Sequence, residues 1–91
     1  MLVFFTRATS GPARRMESLL AHVARKERGR LHVRRVDADR QRGLGQKLLV
    51  EDVPSLLLVV GGQVVARIDG RANLPQIERL LAANLGERTP V

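Results

Sequence analysis

Residues 53 to 70 read VPSLLLVVGGQVVARIDG, and no other stretch limits the fold so tightly. An apolar run from Ser55 to Val60 is followed by Gly61-Gly62 and then by an alternating run from Val64 to Ile68. Two such runs around a two-residue Gly-Gly loop predict a β-hairpin. The chain therefore contains at least one antiparallel strand pair, and the remaining segments have to cover it.

The other elements follow from changes of period. LVFFT, residues 2 to 6, is an apolar strand ended by Arg7 and a polar turn. From Gly11 onward Met16, Leu19, Leu20 and Val23 mark one face of an amphipathic helix, with Ser10 as its N-cap and Pro12 in its first turn. LHVRRVDAD, residues 31 to 39, alternates as a strand, and Asp39 is placed to cap a short helix over residues 40 to 49, which Gly43 and Gly45 weaken. After the hairpin, Asn73 and Gln76 have capping-box spacing, Ile77, Leu80, Leu81 and Leu85 form a helical face, and Gly86 is a C-terminal stop. The order β-α-β-α-β-β-α combines a right-handed parallel βαβ unit with a hairpin and a covering helix. The expected α/β architecture is a four-stranded mixed sheet flanked by three helices, in one domain over residues 1–86 with a loose tail at 87–91. Leu31 to Val36 and Val64 to Ile68 are its expected edges, guarded by Arg34, Arg35 and Arg67.

Composition removes several functions. None of the 91 residues is a cysteine, which excludes disulfides, thiolate metal ligands and thiol catalysis. His22 and His32 lie ten apart with no metal-ligand spacing, so no metal and no cofactor are expected. The run Met1 to Phe5 is too short for a signal-peptide core or a membrane span, and a cytoplasmic location away from membranes is the default expectation. The net charge of +7 is uneven: residues 7 to 47 hold twelve Lys/Arg against four Asp/Glu, and residues 48 to 91 hold four against five. With Phe4 and Phe5 as the only aromatics, nothing interleaves the charges to stack on bases, so nucleic acid is not an expected partner.

These landmarks together resemble the thioredoxin family. LVFF followed by TSGPARRM matches the redox loop and its helix, VRRVDAD the next strand, VEDVPSLLLVVGGQVV the proline loop and hairpin, and GRANLPQIERLL the last helix. The resemblance covers residues 2 to 85 and lacks only the additional first strand and helix of full-length thioredoxins. It implies a thioredoxin-like fold and a protein disulfide reductase as the family activity. The departures fall in the chemistry: Ser10 and Ala13 occupy the family's cysteine positions, giving Ser-Gly-Pro-Ala for Cys-Gly-Pro-Cys. Thr9 replaces the preceding aromatic, Phe4 the buried acid and Arg35 its lysine partner.

What the resemblance leaves is the groove. It implies a cis bond between Val53 and Pro54, with Thr9, Ser10, Gly11, Pro12, Gly70 and Arg71 completing a site for extended peptide. The expected function is a redox-inactive binding or regulatory module for an unidentified protein or peptide, as a monomer or weak homodimer. The alternatives are a thiol-replaced disulfide oxidoreductase and a glutathione-binding or weak polyanion-binding domain. GRANL lacks the acidic-serine motif that glutathione transferases of this fold use. A hydrolytic Ser10 lacks a base, because His22 stands twelve residues along the helix, about 18 Å away at 1.5 Å per residue. Arg35 is expected to turn toward the site of the family's acid and to pair with Asp37 or a backbone carbonyl, since an unpaired buried guanidinium is costly.

Overall fold

A computed structural model of the chain describes residues 1–8 and 11–86. The elements are β1 (Leu2–Thr6), α1 (Gly11–Lys26), β2 (Val33–Asp37), α2 (Arg42–Lys47), β3 (Ser55–Val60), β4 (Gln63–Asp69) and α3 (Leu74–Leu85). The strands form one four-stranded sheet in the order β2-β1-β3-β4. β1 runs parallel to β2 and antiparallel to β3, and β3 pairs antiparallel with β4. The chain has the α/β thioredoxin-like fold, a mixed sheet with three helices in the expected order. The tail at 87–91 lies outside the described residues, as do Thr9 and Ser10.

Alternation along the central strands assigns the two faces. Leu2 and Phe4 of β1 join Leu56 and Leu58 of β3 beneath Ala13, Met16, Leu20 and Val23 of α1 and Ile77 and Leu81 of α3. Val3, Phe5, Val36 and Leu57 point the other way, where Leu44, Leu48 and Val50 of the α2 region cover them. Leu2, Phe5, Leu56, Leu57, Leu58 and Ile77 are all 0% exposed, so the core is almost wholly aliphatic. Each fully buried Leu or Ile contributes roughly 1.5–3 kcal/mol by transfer from water.

Local chemistry sets the ends. Gly61 and Gly62 take φ of 60° and 79°, the left-handed pair that a two-residue hairpin turn requires. Asn73 Oδ1 accepts from Gln76 N–H at 2.9 Å while Gln76 Oε1 accepts from Asn73 N–H at 2.8 Å, so the capping box forms at α3. Arg30 binds the buried Glu27 carboxylate at 2.7 Å and the Gly86 carbonyl at 3.0 Å, tying the turn after α1 to the end of α3.

Three expectations are corrected. The second strand starts at Val33, not Leu31, because Leu31 N–H still bonds Glu27 O at 3.0 Å in the turn that closes α1. α2 covers only Arg42–Lys47 rather than 40–49, and Asp39 does not cap it. Asp37 organises that turn instead, its Oδ1 accepting from the N–H of Asp39 at 2.9 Å and of Arg40 at 3.2 Å, an Asx-turn. Finally, Arg67 is not a free edge charge. Its guanidinium donates to the carbonyls of Leu48 at 3.3 Å and Leu49 at 2.8 Å and pairs with Asp69 at 2.9 Å, fastening the end of α2 to β4.

Candidate functional site

The face expected to bind peptide lies where β1 ends. Phe5 pairs with Ser55, so Val53 and Pro54 continue past the C-terminal end of β1, where the chain leaves toward α1. The Val53–Pro54 bond is cis, as the family resemblance implies. Pro54 is buried and its carbonyl accepts from Gly70 N–H at 2.9 Å, which holds the turn after β4 against the proline loop. Gly70 has φ of 92°, a conformation that strains any residue with a Cβ, so this turn favours glycine. Arg71 beside it is exposed. Val53 is half-buried against the cluster that contains Ala13, and Gly11 and Pro12 are half-buried at the start of α1.

Neither the Val53 amide nor its carbonyl has a hydrogen-bond partner among the described residues. Both main-chain groups of this half-buried residue are thus left unmet by the sheet. Next to it opens a cleft of about 290 Å³ lined by Arg7, Asp39, Arg42, Val50, Glu51 and Val53. Sequence reasoning missed Asp39, Arg42, Val50 and Glu51, because they come from the loops on either side of α2 and carry no motif. Arg7, which follows β1, pairs with Asp39 at 3.0 Å, both half exposed. Arg71 and Arg14 keep their charges without an acidic partner among the described residues.

The family's acid-base positions are equally altered. Phe4 is 2% exposed and packed in the core, with no proton to exchange. Arg35 does not turn toward Asp37 or a backbone carbonyl. It pairs with Glu17 of α1 at 3.1 Å with its side chain 63% exposed, so water solvates most of the charge that was expected to need a buried partner. Among the described residues one buried side-chain polar atom is unmet: Thr6 Oγ1, on the last residue of β1. Among the described residues no group of three His, Asp or Glu stands close enough to hold a metal ion, and no helix is long and apolar enough to cross a membrane.

Fold and site together define a thioredoxin-like domain that keeps a cis-proline loop in a chain without a thiol. The thioredoxin family model matches residues 1–83, and the chain belongs to the thioredoxin family. The bifunctional thioredoxin reductase/thioredoxin of Mycobacterium leprae (strain TN) is 31% identical over 70 residues, which is 77% of this chain and 15% of that protein. Among solved structures, the germline-specific thioredoxin Deadhead (thioredoxin-1) of Drosophila melanogaster superposes with a TM-score of 0.84 at 23% identity, covering 91% of this chain and 78% of that one. A malarial protein superposes with a TM-score of 0.84 at 18% identity, covering 92% and 94%. At these identities the two structural likenesses are of fold alone.

Proposed function

We propose that the chain is a non-catalytic, peptide-binding member of the thioredoxin family. Its groove comprises Thr9, Ser10, Gly11, Pro12, Val53, Pro54, Gly70 and Arg71. The observation that carries this reading is the unmet amide and carbonyl of Val53 beside a loop fixed by the Gly70–Pro54 hydrogen bond. An extended segment adding there gains main-chain hydrogen bonds, and its side chains reach the cleft lined by Val50 and Glu51. Disulfide exchange needs an attacking thiolate, and the sequence supplies none.

Binding is expected to be weak. No mixed disulfide holds the partner, and the apolar rim is small, so a lone peptide should bind at about micromolar or weaker, near 8 kcal/mol. The unpaired charges of Arg14 and Arg71 favour neutral or acidic segments over basic ones. The test is amide chemical-shift mapping with short extended peptides of differing charge. Shifts centred on residues 9 to 12, 52 to 55 and 69 to 71 support the groove. If no peptide moves those amides at millimolar concentration, the reading fails.

A further inference from the structure

A second open face lies at the opposite edge of the sheet from β4. The parallel register between β1 and β2 is anchored by Leu2 N–H to His32 O at 2.8 Å and by Ala38 N–H to Thr6 O at 2.9 Å. Between these anchors, the main-chain groups of Arg34 and Val36 face β1, and those of Val33 and Arg35 therefore face outward. Among the described residues no further strand pairs with β2. The outward N–H and C=O of Val33 and Arg35 form an open strand edge.

The side chains of these same two residues line a second cleft of about 290 Å³. Its floor is Phe4, Leu20 and Val33, and its wall is Ala21 and Ala24 of α1, whose small side chains leave the space open. Glu17 and Arg35 pair across its mouth at 3.1 Å. Around it stand cations with no acidic partner among the described residues: Arg14 and Arg25 on the α1 stripe that includes Ala21, and Arg34 on the other face of β2. A second copy of this chain is a poor occupant, because two β2 edges would bring Arg34 and Arg35 against their own counterparts.

We propose that the β2 edge takes an extended, acidic segment of a partner protein as an added strand. Strand alternation specifies its pattern. Residues on the α1 side place an apolar side chain in the cleft over Phe4, Leu20 and Val33, and the residues between them present carboxylates to Arg34. Acidic residues at the segment's ends meet Arg14 and Arg25. This face is distinct from the peptide groove, with Arg14 the one cation that both use.

The probe is a short capped peptide alternating glutamate with leucine or valine, titrated into the whole chain and followed by amide shifts and hydrogen exchange. Shifts centred on Val33 to Asp37, with slowed exchange at the Val33 and Arg35 amides, are expected. Methylating the peptide's edge-facing nitrogens should weaken binding tenfold or more, because it removes the strand hydrogen bonds and keeps every side chain. Ala21→Leu fills the cleft and Arg34→Glu reverses the charge, and each should cost at least tenfold. Several results would overturn the proposal: no binding, binding indifferent to nitrogen methylation, or shifts centred on Gly11, Pro12, Val53 and Gly70. An oligonucleotide that binds the same amides more tightly than the peptide would assign the face to nucleic acid instead.

Discussion

The unmet hydroxyl of Thr6 gives a direct test of the energetics. Thr6 is 1% exposed at the end of β1, and its Oγ1 has no hydrogen-bond partner among the described residues. Valine has nearly the same shape, favours strands equally, and carries no polar atom to desolvate. Thr6→Val should therefore stabilise the fold by removing an uncompensated buried hydroxyl, a group that costs about 1–3 kcal/mol when left unpaired. Taking about 1 kcal/mol as the gain, the melting temperature of a domain this small should rise by roughly 4–8 °C. Urea unfolding is the assay, and the midpoint should rise with the slope unchanged, which separates a gain in stability from a change in the unfolded chain. Destabilisation by 1 kcal/mol or more would refute the reasoning, because it would mean that the hydroxyl is bonded in solution, with a buried water as the natural partner.

Further predictions concern individual contacts. Asn73→Ala removes half of the capping box at α3 and should cost about 1 kcal/mol by urea unfolding, with faster exchange of the first-turn amides. Arg30→Met strands the Glu27 carboxylate, which is 6% exposed, and should cost more than Asn73→Ala, up to roughly 3 kcal/mol since Arg30 itself is partly solvated. The double substitution Ser10→Cys and Ala13→Cys should permit a disulfide that forms and reduces, while insulin reduction stays slow because Phe4 cannot accept a proton. The unsubstituted chain should show no insulin reduction above buffer.

Most of the fold was legible because it rests on local, periodic signals. The hairpin follows from Gly61-Gly62 between two apolar runs, and α3 follows from Asn73, Gln76 and a helical stripe. These signals act over a few residues and need no tertiary information. The misreadings arise where a polar side chain could choose among partners. Asp37 and Asp39 are both good turn residues, and sequence cannot say which one folds back on the backbone and which reaches 32 residues away to Arg7. Arg67 looked like an edge guard because its targets, Leu48 O and Leu49 O, are main-chain atoms eighteen or more residues distant. The groove's lining was partly hidden for the same reason, since Asp39, Arg42, Val50 and Glu51 meet only when α2 packs on the sheet.

The departures from the family's chemistry form a connected set. A cysteine nucleophile at a helix start requires a group that takes up protons, and in this family a buried acid and its lysine serve that purpose. Here the acid's place is filled by Phe4, packed with Leu20, Leu56 and Leu58, so the position contributes apolar burial. With no buried carboxylate to neutralise, the cation at Arg35 is free to leave the interior, and it does so by pairing with Glu17 at the surface. Each change removes the reason for the next. Restoring two cysteines alone therefore leaves the proton-transfer system absent, and Phe4→Asp would bury a carboxylate whose expected partner already points outward. The main-chain features of the proposed groove depend on none of these residues. The unmet Val53 groups and the Gly70–Pro54 bond are present without the thiol, so the proposed binding does not require the catalytic residues.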